Sequence, residues 1–359
     1  TADVTTIASP ANSLLVYNTA TVSNVTPGYY YWNGTAWTKM VNGTAWSLTG
    51  NSGTAAATNF IGTTDNVPLV FRVNNQKAGL IDVSSNLFLG YQAGSVNAGI
   101  ENTGIGFQAL HINTNGSSNT ATGTYAMASC IDGYGNTVTG AWALGYSSQS
   151  GLNSAFGFNS MAHVSTGSNN SAFGAYALDG SAFMTGNDNT AGGYQTMKNN
   201  LNGNKNAAFG TEALYSNTSG NENTGIGYQA LYSNSSGSYN TATGSMALKN
   251  NSAGGYNVAN GYQALLNNSG SYNTAVGYAN LSVNSGSYNT AMGDEVLAFN
   301  SSGSYNTAAG NFALLENTTG SYNTALGYLA LRQNHAGNSN VAIGNNALNG
   351  DFGDGNTAV

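Results

Sequence analysis

The acidic neighbours Asp294 and Glu295, the segment "GDFGDGN" at 350–356, and the three histidines His111, His163 and His335 are the residues of this 359-residue chain whose types could do catalytic or metal chemistry. Two carboxylates can share general acid and base roles, but adjacent residues on a strand point to opposite faces, so Asp294 and Glu295 do not work as a pair there. Asp351 and Asp354 could chelate calcium through their carboxylates. The regular Gly-Gly-x-Gly-x-Asp repeat of calcium-binding rolls is missing, so the segment reads as a turn. The histidines occupy unrelated points of the chain, and no Gly-rich loop follows the strand-to-helix pattern that cradles phosphate. The expectation is a chain with no catalytic, cofactor-binding or metal site, and not an enzyme.

What would position any side chain here is repetition. Taking the Asn of Asn-Thr-Ala-x-Gly as an anchor, matching positions run Asn86, Asn102, Asn119, Asn136, Asn153, Asn170, Asn189, Asn206, Asn223, Asn240, Asn257, Asn273, Asn289, Asn306, Asn323, Asn340 and Asn356, in steps of sixteen or seventeen residues with one of nineteen. Gly stands four residues after each of the first sixteen anchors, and Leu or Met stands eight after in fifteen of the sixteen. Another frequent Asn lies eleven after, followed by Ser or Thr and a second Gly. Self-similarity at a fixed short period decides the architecture. Two packed helices need a longer unit, and Gly, Asn, Ser and Thr are poor helix formers. Two short strands and two tight turns use up the count, with Gly supplying positive φ at the bends. The expected fold is all-β: a parallel β-solenoid or β-roll of about sixteen coils over residues 83–359, preceded by a small β-hairpin domain over residues 1–82.

In that front module Trp32, Trp37, Trp46 and Tyr29 to Tyr31 surround Asn33-Gly34 and Asn42-Gly43, which are hairpin turn signals. Asn74-Asn75 reads as a third hairpin. The aromatics serve as the core of a small β-module, or as a sugar platform.

Stacked coils turn each repeat position into a column. The anchors, among them Asn240, Asn257, Asn273, Asn289, Asn306 and Asn323, should form a structural amide ladder. Tyr239, Tyr256, Tyr272, Tyr288, Tyr305 and Tyr322 precede six consecutive anchors and should stack as an aromatic ladder that stiffens the rod or meets a sugar. The residue after the anchor is usually Thr or Ser, a pattern that makes ice binding a remote alternative. The third residue after the anchor is apolar in eleven of sixteen copies. Left bare, that stripe is an aggregation hazard, so it implies cover by another copy of the chain. Four Asn-x-Ser/Thr sequons, Asn217, Asn234, Asn300 and Asn317, share the position eleven after the anchor and are candidate glycosylation sites on surface corners.

Composition narrows the partners. Charged residues make up 6% of the chain, Gly numbers 49 and the net charge is -7. So few Lys and Arg leave no phosphate-binding footprint, and nucleic acid is excluded as a partner. No apolar run is long enough for a membrane helix, and the single Cys130 allows no disulfide framework.

"NSNVAIGNNAL" at 338–348 resembles the head repeat of trimeric autotransporter adhesins, left-handed parallel β-rolls in which three chains pack together, although that family's repeat is shorter. "SLLVYNTATVSNVTPGYYYWNGTAWTKM" at 13–40 and "DNVPLVFRVNNQKAGLID" at 65–82 resemble modules that precede such repeats in bacterial and phage tail-fibre-like surface proteins. The resemblance implies an extracellular or cell-surface location and self-association, as a fibre or homo-oligomer such as a trimer.

The function expected from these readings is a structural subunit of an extracellular fibre or surface stalk, joined end to end through residues 1–12 or the small β-domain, with lateral contacts besides. The alternative is an adhesin or receptor-binding tail-fibre segment that recognises a surface glycan. The chain stops inside a repeat, so either it is a fragment or something else completes the last coil.

Overall fold

The computed structural model describes residues 11–19, 21, 26–40, 54–55, 57, 59–180, 184–350 and 353–359. Every element among them is a β-strand, with no helix. The chain divides into two compact units, Thr1–Asp65 and Asn66–Val359.

In the first unit, β1 (Leu15–Asn18), β2 (Gly28–Trp32) and β3 (Trp37–Lys39) form an antiparallel meander. Trp32 pairs with Trp37 across the β2–β3 hairpin, their rings 5.5 Å apart edge to face. The Asn33 side-chain oxygen accepts the N–H of Thr35 at 2.9 Å and of Ala36 at 2.8 Å, which is how an Asx-turn reverses the chain. The Asn42-Gly43 hairpin and Trp46 lie outside the described residues.

The second unit opens with a hairpin of β4 (Leu69–Val73) and β5 (Gln76–Ile81), turned by Asn74 and Asn75 at φ 47° and 57°. Two consecutive positive φ values match the right-handed twist of a hairpin. β5 then pairs antiparallel with β6 (Leu87–Leu89), the first strand of the ladder. This hairpin lies in the same compact unit as the solenoid, Asn66–Val359. It also covers the first coil from within the same chain, so that the outermost strand of the ladder at this end is β4.

From β6 onward every coil adds one parallel strand, residue over equivalent residue: Thr224 over Thr241 over Val258 over Thr274, continuing to Thr357–Ala358. At ~4.8 Å per strand, sixteen coils extend roughly 75–80 Å. Inside run columns of Ala and of Leu or Met. Leu231, Leu248, Leu265, Leu281 and Leu314 are fully buried, as are Ala242, Ala259 and Ala275.

The two Gly columns exist for different reasons. The Gly four after the anchor holds φ between 115° and 143°, where a side chain is strained; at Gly227 a Cβ would also meet the Gly244 carbonyl of the next coil at 2.6 Å. The second column, such as Gly254, has no positive φ before the last coil but lies so close to the next coil's carbonyl that a Cβ has no room. Each coil carries further left-handed positions filled by ordinary residues: Tyr256 at 59°, Gln263 at 55° and Leu265 at 52° are one coil's set.

Candidate functional site

Each anchor Asn faces inward and is used twice. The oxygen of Asn240 accepts the backbone N–H of Asn257, that of Asn257 serves Asn273, and Asn273, Asn289 and Asn306 do the same for Asn289, Asn306 and Asn323, all at 2.9–3.0 Å. The series runs unbroken from Asn86 to Asn356. The anchor's amide nitrogen donates to the second-corner carbonyl of its own coil, Gly254 for Asn240 and Gly320 for Asn306. Two buried backbone groups, an N–H and a carbonyl, are thereby satisfied by one side chain.

A second Asn ladder, the column that carries the four sequons, lies beside the first at the same corner: Asn251 and Asn240 both donate to the Gly254 carbonyl, at 2.8 and 2.9 Å. Asn217, Asn234, Asn300 and Asn317 are fully buried. Each donates one amide hydrogen to the Asn of the preceding coil, at 2.7–2.9 Å, and the other to a Gly carbonyl three residues on, at 2.7–3.0 Å. Both amide hydrogens are committed in the folded coil, so the geometry gives these four a ladder role. The column is interrupted where Cys130, Ser147 and Val164 replace Asn, and below the break the buried oxygen of Asn113 has no partner among the described residues. Burial pushes the Cys130 thiol up to about 11.

Tyr239, Tyr256, Tyr272, Tyr288, Tyr305 and Tyr322 stand about half exposed, with successive ring centroids 4.7–5.0 Å apart and planes within 11°. All six hold φ of 59–60°, a region bulky residues avoid. Each inner ring has a neighbour on both faces, so only ring edges, hydroxyls and the outer faces of Tyr239 and Tyr322 remain open. A pyranose packs on a ring face, so this arrangement suits stacking along the axis better than sugar binding.

The outward side of the parallel ladder presents two columns, the first and third residues after the anchor. Ile105, Phe173, Phe209, Ile226, Val276, Met292, Leu326 and Ile343 of the third column are exposed, and Phe156 stacks on Phe173 at 5.2 Å. Neither column holds a charged residue in any coil.

The residues with catalytic potential do not converge. Asp294 ends the strand Thr290–Asp294, and Glu295 follows at φ 49°. His111 lies 3.3 Å from the Gln92 carbonyl and His335 3.7 Å from Glu316. Asp354 accepts the N–H of Asn338 at 2.7 Å, and Asp351 lies outside the described residues. Among the described residues no group of three or more His, Cys, Asp or Glu could hold a metal ion, and no helix is long and apolar enough to cross a membrane. One contact had no sequence signal: His163 lies 2.8 Å from Asp179, a nearly buried carboxyl that desolvation pushes up while His163 and Lys198 hold it down.

Residues 1–58 match the family described as the phage tail like trimerisation region. No curated protein and no solved structure matches the chain. The family match and the β-solenoid fit a phage tail-fibre-like protein; neither bears on the autotransporter-head resemblance.

Proposed function

We propose that this protein is a structural subunit of an extracellular or virion-associated fibre, in which three chains associate through their N-terminal regions and pack their solenoids side by side. The observation that carries this reading is the outward face, which is uncharged along the ladder and presents a mostly apolar stripe, the third column, beside a column of Thr and Ser. Water is a poor cover for such a stripe, and two further copies of the chain are its best cover. The match of residues 1–58 to a trimerisation region supports three as the number of copies. The buried Asn ladders, which bind each coil to the next, make the unit suited to carry length and load.

The test is to place charge on the face. Ile226→Lys with Val276→Lys should leave the far-ultraviolet circular dichroism spectrum unchanged, because both side chains point away from the core, and should shift the solenoid unit (residues 66–359) from trimer to monomer in size-exclusion chromatography. Unchanged assembly would reject this face as the contact.

A further inference from the structure

One coil of the outward face has its polarity reversed. Elsewhere the polar residue, where there is one, stands first and the apolar one third, as in Thr274 and Val276 or Thr290 and Met292; some coils are apolar or polar at both. In the strand Val258–Asn260 the apolar residue is first and the polar residue third. No other coil from Asn86 to Asn340 has this arrangement. Asn260 pairs in the ladder with Thr243 on one side and Val276 on the other, and Val258 and Asn260 are both exposed. Among the described residues the Asn260 amide makes no hydrogen bond within its own chain, in contrast to the buried ladder asparagines.

We propose that Asn260 fixes the register of the three parallel chains, an inference that rests on the trimer proposed above. The occupant of the face is two further copies of this chain. A stripe ~75 Å long and ~7–10 Å wide offers ~500–750 Å², close to the ~800 Å² each partner gives to a stable interface. It is continuous in sequence with the region that matches a trimerisation family. With the chains in register, three Asn260 amides meet at one level, and each donates an N–H to the next oxygen, closing a ring of three hydrogen bonds. One coil of slip, ~4.8 Å, opens the ring: the Asn260 of one copy then faces Val276 of the next, where its amide has no partner. A lone polar residue in an apolar seam fixes the register of coiled coils by the same means.

The experiment uses the full chain with single cysteines at neighbouring outward positions, Val276→Cys and Met292→Cys, co-expressed and oxidised, with linkages read by mass spectrometry and assembly by sedimentation. With Asn260 present, each cysteine should link to its own counterpart in another copy, and mixed 276–292 linkage should be scarce. Asn260→Val should raise mixed linkage several-fold while the trimer persists, and Asn260→Thr, which keeps a hydrogen-bonding group, should hold it low. Scarce mixed linkage in the Asn260→Val protein overturns the register role, and a trimer lacking 276–276 linkage overturns it by placing the face elsewhere. A monomeric parent protein instead overturns the trimer reading itself.

Discussion

The side-chain oxygen of Asn240 accepts the backbone N–H of Asn257 at 3.0 Å, one coil further along, while its nitrogen donates to the Gly254 carbonyl at 2.9 Å within its own coil. One amide thus joins a coil to its successor and closes the corner of its own. Asn257 repeats the arrangement toward Asn273 and Gly270. Asn257→Ala leaves the buried Asn273 N–H without its acceptor, a loss of about 1–3 kcal/mol. Urea unfolding of the solenoid unit measures it, and a change below the error of the midpoint would contradict the ladder's role in stability.

Gly227 and Gly344 separate backbone strain from crowding. Both hold positive φ, 130° and 123°, but a Cβ at Gly227 meets the next coil's Gly244 at 2.6 Å, whereas among the described residues nothing lies within 4 Å of one at Gly344. Strain alone costs about 1–3 kcal/mol. Gly227→Ala should therefore lower the thermal midpoint clearly more than Gly344→Ala, and equal effects would show that close coil approach is not what the glycine column serves.

How much of this was legible in the sequence depends on whether a residue's reason repeats. The anchors, the Gly columns and the buried leucines could be read because in-register stacking imposes the same demand on every coil. The inward turn of Asn217 and its equivalents was not legible, because Asn-x-Ser/Thr is a local pattern, silent about where the amide points. The hairpin of β4 and β5 was visible as a hairpin, but its pairing with β6 is a long-range contact without a local signal. Left-handed φ at Tyr256, Gln263 and Leu265 was likewise hidden, since none of these residue types favours that conformation.

The break in the second ladder is open to repair. Cys130 occupies a fully buried corner position where Asn stands in most coils, and the Asn113 oxygen beneath it lacks a partner. Cys130→Asn is close in volume and supplies the missing N–H. A gain of about 1 kcal/mol is expected, the usual net worth of a hydrogen bond, read as a higher denaturant midpoint; a lower midpoint would contradict the ladder logic at this corner.

Asp179 gives the solenoid a pH dependence of defined sign. Desolvation raises its pKa above the ordinary carboxylate value, against the opposing pulls of His163 and Lys198. The folded state therefore holds the proton more tightly than the unfolded chain, and stability falls as pH rises from the usual carboxylate range through the raised value. Asp179→Asn should match the parent protein in acid and gain on it across that rise, as followed by urea midpoints at successive pH values. A parent protein that gains on the variant over the same rise would reverse the sign and refute this origin.

Side-by-side assembly is tested most directly by sedimentation equilibrium of the full chain at micromolar concentration. The expected mass is three times the 36.6 kDa of one chain. A mass of one chain across the whole concentration range would contradict the trimeric fibre.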